Sequence, residues 1–257
     1  MKKIRAFIIS FSAFSVLWFL YFPIFIIIWF SFNKESVSSF PIEHYSLDWY
    51  VKLFHNQSMI NAVEVSFIIA ISSTLAALII GIPSAYALHK YNYFGKNFLL
   101  KLILLPITLP GIVTGVAMLS LFPLMGIPLS LKAVFIGHTT FLIAIMITQI
   151  LARFKKLDPY LEMAAFDLGA SPLQAFFKVI LPNIKTAIIG AVLLSLVLSM
   201  DEIPVTFFLI SRENTLPIEI YGMMRRGITP EVNAVATLVF LISSAAIFIS
   251  LKFNKEN

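Results

Sequence analysis

Two adjacent carboxylates, Asp201 and Glu202, stand inside an apolar stretch that reads Leu198-Ser199-Met200-Asp201-Glu202-Ile203-Pro204. A helix starting at Lys185 would run for sixteen residues before Asp201, roughly 24 Å at a rise of ~1.5 Å per residue. That depth lies in the far half of a bilayer or at its far edge. An intramembrane carboxylate costs ~2.5–3.5 kcal/mol on insertion scales, so it faces water or a cationic partner rather than lipid. Three readings are open: the pair lines a path for a cation, it forms an internal ion pair with Arg225 or Arg226, or it ends a helix at the interface. Other chemistry is missing. The sequence has no GxxxxGK[ST] phosphate loop, no HExxH and no GxSxG. It has no cysteine, and its histidines (His44, His55, His89, His138) lack ligand spacing. The chain is therefore not expected to be an enzyme, to hydrolyse ATP alone, or to hold a cofactor or metal.

The elements that carry this pair are membrane helices. Hydrophobic residues make up 59% of the 257 residues and charged residues only 12%, with a mean hydropathy of +0.92. Several runs reach the roughly 18–20 apolar residues that cross a bilayer. The expected architecture is an all-α membrane protein, one domain over 1–257, with six spans at about 7–32, 65–88, 102–124, 131–152, 185–209 and 232–251. The first run follows a basic start but is too long for the core of a signal peptide, so it reads as an uncleaved span. Between the first two spans, Ser46 to Phe54 suggests a short surface helix, with Trp49 and Tyr50 at the membrane–water interface. The third span contains Pro106, Pro110 and Gly111, and Gly111-x-x-x-Gly115 offers a small face for close packing. The fourth carries His138, Thr139, Thr140, Thr148 and Gln149, which should face protein or water and bond between helices.

Charge fixes an expected orientation. With the N-terminus inside, thirteen of the nineteen Lys and Arg fall in inner segments. The positive-inside rule then places both termini in the cytoplasm. The formal net charge of +6 is spread over membrane-proximal loops, where anionic lipid headgroups explain it more simply than nucleic acid does.

Between spans four and five lies a polar interruption, Leu157 to Pro182, with helix punctuation of the soluble kind. Asp158 and Pro159 make an N-cap and first helical residue, and Gly169 suits the left-handed C′ position. Ser171-Pro172-Leu173-Gln174 has capping-box spacing, and Pro182 should stop the second helix. Ala164, Ala165, Gly169 and Ala170 are small enough for another backbone to approach, with Glu162 and Asp167 at the edges. From the residues alone, a plain amphipathic loop helix remains an equal reading.

The pattern Ala164-Ala165-x-x-x-Gly169, nine residues, then Val179-x-Leu181-Pro182 resembles the EAA loop, EAA-x3-G-x9-I-x-LP, of permeases in ATP-binding-cassette importers. The family's glutamate falls here on Met163, with Glu162 one residue early, and its isoleucine falls on Val179. The segments Ser199 to Phe208, Thr215 to Met224 and Arg225 to Ala234 are similar to permeases of polyamine importers, a likeness that extends over most of the chain. The resemblance implies a type I permease fold in a bacterial inner membrane, with 157–182 as a cytoplasmic coupling loop. Glu162, Met163, Ala164, Ala165, Asp167, Gly169, Ala170, Leu181 and Pro182 would serve that loop. It also implies a second permease subunit, an ATPase dimer that binds ATP and Mg, an extracytoplasmic solute-binding protein, and a spermidine- or putrescine-like substrate passing Asp201 and Glu202. Another small solute, or a self-contained secondary cation transporter or channel, is the alternative.

Overall fold

A computed structural model describes residues 2–36, 40–227 and 229–254. Lys255, counted above among the inner charges, Val37 to Ser39 of the first loop, and Ile228 lie outside the described residues. In chain order the helices are α1 (Lys2–Phe30), α2 (Asp48–His55), α3 (Gln57–Lys90), α4 (Lys96–Thr108), α5 (Gly111–Leu124) and α6 (Leu131–Phe154). There follow α7 (Tyr160–Asp167), α8 (Pro172–Ala175), a π-turn (Phe176–Ile180), α9 (Leu181–Asn183), α10 (Lys185–Met200), α11 (Pro204–Leu209), α12 (Leu216–Arg226) and α13 (Pro230–Asn254). Among the described residues the only strand-like pairing is one isolated bridge, Asn33 to Tyr45.

By length and composition, Ile9–Phe30, Gln57–Lys90 and Leu131–Phe154 can each cross a membrane, and two bent pairs raise the number to five. A further apolar helix segment runs from Pro230 to Ser244. The third expected span, about 102–124, carries its helix breakers at a sharp bend. It is broken into α4 and α5, which meet at 102°. Leu109 is extended (φ −79°, ψ 141°) ahead of Pro110, as crowding before proline demands, and Pro110 has no N–H to continue the ladder. The fifth span is also not straight. Asp201 to Ile203 interrupt it between α10 and α11.

The chain forms two compact units, residues 1–60 with 219–257, and residues 61–218. In the first, α1 and α2 pack on α13. Trp49 donates from Nε1 to the Asn33 carbonyl at 2.9 Å, and Ser31 and Tyr50 share a 2.6 Å hydrogen bond. The short surface helix therefore exists, shifted to Asp48–His55, with Ser46 Oγ accepting the Asp48 N–H.

In the second unit, two apolar clusters sit toward opposite ends of α6. One gathers Met146, Ile150 and Phe154 with Leu88, Ile180 and Ile184. The other gathers Ala133 and Val134 with Val65, Phe122, Val205 and Leu209. Helix α11 lies in notches cut by glycine. A Cβ added at Gly115 would stand 2.9 Å from the Pro204 carbonyl oxygen, and one at Gly137 would stand 2.7 Å from Leu209 Cδ1. The small Gly111–Gly115 face is packing, as its spacing suggests, and its partner is α11.

Candidate functional site

Two places gather the polar groups that the sequence singles out, and both lie in the 61–218 unit. The first is the loop from Leu157 to Asn183. Asp158 Oδ1 accepts the Tyr160 N–H at 2.9 Å, so α7 starts where its sequence says. It ends in a Schellman turn: Gly169 (φ +84°) donates to the Phe166 carbonyl and Ala170 to the Ala165 carbonyl. Ser171 and Gln174 then close a reciprocal capping box, at 3.3 and 2.9 Å.

Pro182 does not stop the second helix, contrary to expectation. The turn from Phe176 to Ile180 widens to π geometry, and Leu181 donates to the Phe176 carbonyl. A wider turn relieves the clash between a proline ring and the carbonyl four residues back, and the ladder resumes through Leu181–Asn183. The chain then bends by 70° into α10.

The two faces of α7 differ. Ala165 is only 7% exposed, so it supports the helix from within rather than offering a small docking face. Ala164 and Asp167 are exposed, as are Met163 and Leu168, the latter at 89%. Glu162 turns inward. Its Oε1 accepts from Lys90 Nζ and from the Tyr86 hydroxyl, both at 2.5 Å, and Lys90 also donates to Tyr86 at 2.9 Å. Burial alone would raise the Glu162 pKa; hydrogen bonds from Lys90 and Tyr86 outweigh it and hold the carboxyl below its ordinary range.

This contact depends on the length of α3. At 34 residues that helix extends roughly 51 Å, well beyond a hydrocarbon core of ~30 Å. Its last turn therefore reaches the loop. There Tyr86 packs on Phe176 with ring centroids 4.9 Å apart, and His89 stacks on Phe154 at 5.4 Å. Neither Lys90 nor Tyr86 carries a sequence signal that pairs it with Glu162.

The second place is the break around Asp201 and Glu202. Asp201 is exposed and Glu202 half-buried. Glu202 Oε1 accepts the Val205 N–H at 2.9 Å, which caps the start of α11. A cavity of about 220 Å³ opens beside it, lined among others by Pro106, Leu109, Thr114, Phe141 and Leu198. Glu202 belongs to this lining, and Asp201 does not. Thr114 Oγ1, also on the cavity, is buried with no hydrogen-bond partner among the described residues. Within this unit neither carboxylate pairs with a described cation.

Behind the break lies His138, fully buried on α6. Its Nδ1 is 2.7 Å from Ser199 Oγ and its Nε2 is 2.8 Å from Thr206 Oγ1. The expected bonding between helices is thus made by His138. Thr139, Thr140 and Thr148 instead donate to carbonyls of their own helix, and Gln149 is exposed.

Residues 77–254 match the family of binding-protein-dependent transport system inner membrane components. The chain belongs to this family. It is 34% identical to the spermidine/putrescine transport system permease protein PotC of Haemophilus influenzae over 98% of both chains. It is 35% identical to PotC of Escherichia coli K12, over 90% of this chain and 88% of that one. The putrescine transport system permease protein PotI of E. coli K12 is 34% identical, over 86% and 81%. Among solved structures, a bacterial ABC transporter for import of the acidic polysaccharide alginate superposes with a TM-score of 0.72 at 19% identity, over 98% of this chain and 96% of that one. The all-α permease fold expected from the sequence is therefore the fold of this chain.

Proposed function

We propose that this chain is a non-catalytic permease subunit of an ATP-driven importer that carries a polyamine across a bacterial inner membrane, both of its termini being cytoplasmic. The observation that carries the reading is the likeness at full length to proteins named for spermidine and putrescine transport. The site chemistry supports it. A polyamine carries two or more ammonium groups, and a carboxylate facing a confined cavity attracts them more strongly than in bulk water. Glu202 supplies that carboxylate, with Asp201 exposed beside it.

The loop is read as the coupling element. Met163, Ala164, Asp167 and Leu168 would meet an ATPase subunit, which would itself hold the ATP and Mg. Glu162 and Ala165 support α7 from beneath, Gly169 and Ala170 make the turn, and Leu181 and Pro182 continue the second limb. A second permease, a second ATPase copy and an extracytoplasmic solute-binding protein complete the assembly. Closure of the ATPases would draw on this loop and switch the spans between inward- and outward-open states.

A probable molybdenum permease of Haloferax volcanii is 30% identical over 65% of this chain, which makes an oxyanion the competing cargo. A carboxylate on the cavity opposes an anion. Co-expression with the partner subunits and reconstitution in proteoliposomes tests both. ATP-dependent uptake of labelled putrescine or spermidine is expected. Uptake of molybdate instead, uptake without ATP, or a chain that brings no ATPase through purification would refute the reading.

A further inference from the structure

The break between α10 and α11 leaves Asp201 to Ile203 outside both helices, yet Glu202 is held at one orientation toward the cavity. Three hydrogen bonds behind it form a directional chain. Thr206 Oγ1 donates to the Glu202 backbone carbonyl at 2.9 Å, and a carbonyl can only accept. The single Thr206 hydroxyl proton is thereby committed, so toward His138 Nε2 this oxygen accepts. His138 is therefore protonated on Nε2. With no acid near it among its described contacts, its Nδ1 accepts from the Ser199 hydroxyl. The imidazole is neutral and has one defined tautomer. It joins the last turn of α10, through Ser199, to the first turn of α11, through Thr206, from a third helix, α6.

We propose that His138 is a positioning residue for Glu202: a neutral Nε2–H imidazole that bridges the helix break and fixes where the carboxylate meets the cavity. Bonds on both sides of the interruption come from one ring. Besides them, α10 and α11 are tied by three irregular residues, by the packing of both helices on α6, and by that of α11 on α5. The inference concerns the geometry of Glu202 and rests on the polyamine reading only for its transport measurement.

The test uses the complete complex. Selective ¹⁵N-histidine NMR, with His138→Gln to assign the signal, reads the tautomer without any transport. A neutral Nε2–H signature is expected; an imidazolium or an Nδ1–H tautomer would overturn the proposal. In uptake, His138→Leu and Thr206→Val should each raise the KM for putrescine roughly tenfold, with kcat changed less. His138→Gln keeps a donor for Thr206 and should recover most of the loss. The double variant should be no worse than either single one. A wild-type KM in Thr206→Val, which preserves volume if His138→Leu fails to assemble, would refute the bridge, as would additive effects. If the complex carries no polyamine at all, the polyamine reading fails while the NMR result still decides the role of His138.

Discussion

Removing the charge from Glu162 is expected to loosen α7 without unfolding the spans. In Glu162→Gln the amide keeps the size and can still accept from Tyr86, but Lys90 loses its counter-charge. Fully exposed ion pairs contribute ~0.2–1 kcal/mol, and breaking a fully buried one costs ~3–5 kcal/mol. Here the side chains are 28% exposed for Lys90 and 19% for Glu162, between those limits. A charged hydrogen bond contributes about 1.5–3 kcal/mol, so a loss of ~2 kcal/mol is reasonable, or roughly 30-fold in the ratio of seated to released α7.

Hydrogen exchange at the amides of residues 160–168 in the assembled complex measures that ratio, because local opening sets the rate. Exchange should quicken about 30-fold in Glu162→Gln while the core of α6 is unchanged. Lys90→Glu alone should be worse, and the swapped pair Lys90→Glu/Glu162→Lys should recover much of the protection. The sign with pH follows from the depressed pKa. A carboxyl held below its unfolded value of 4.5 stabilises the fold above that value and loses the contribution as pH falls through the folded pKa. The difference between wild type and variant should then stay flat from about pH 5 to pH 8 and shrink only in stronger acid. Equal exchange in both proteins, or a swap that fails completely, would refute the anchor.

Other outcomes follow from the same geometry. Gly115→Ala should weaken the protein by about 1–3 kcal/mol, since its Cβ would press on the Pro204 carbonyl, whereas a Cβ at Gly190 in α10 meets nothing within 4 Å; in thermal unfolding Gly115→Ala should melt below Gly190→Ala. Glu202→Gln should reduce polyamine uptake more than Asp201→Asn, because only Glu202 lines the cavity, with the complex still assembled; equal uptake in both and wild type would remove the carboxylates from the path. Cysteine placed at Asn214 should react with an impermeant reagent from outside intact cells, and cysteine at Ser171 only after permeabilisation, in a chain that has no native cysteine; the reverse pattern would invert the topology and detach the loop from any cytoplasmic ATPase.

What could be read from the sequence was what short-range rules control. The capping box at Ser171 and the turn at Gly169 depend on neighbours within five residues, and both are present as spelled. The direction in which α7 faces was not legible, because an eight-residue helix has little amphipathic phase of its own. Its phase is set by Glu162 meeting Lys90, 72 positions earlier. Pro182 misled for a related reason: a proline ends a helix only when the preceding turn cannot widen, and here it widens. The carboxylate pair and His138 both stood out in sequence by their cost in lipid, but which residues the imidazole bonds was not legible, since a lone histidine in an apolar helix declares no partner.

The displaced glutamate joins these points. A shift of one residue turns a helical side chain by ~100°, and the structure has one face of α7 packed inward and one open. With glutamate at 162 rather than 163, the charge falls on the inner face, where the long α3 delivers Lys90 and Tyr86 to receive it. The position that the family pattern gives to glutamate is occupied by Met163, which is exposed. At that position the outer face is apolar where the pattern would make it acidic, and its acid, Asp167, stands one turn further on. A partner that docks there should meet Met163 itself with an apolar contact rather than a basic one. Met163→Glu restores the pattern and leaves the internal anchor untouched, so it separates the two roles. If docking here is apolar, that variant should weaken ATPase binding in a pull-down while hydrogen exchange of α7 in the free permease stays unchanged; tighter binding would show that the ATPase surface still expects the acid.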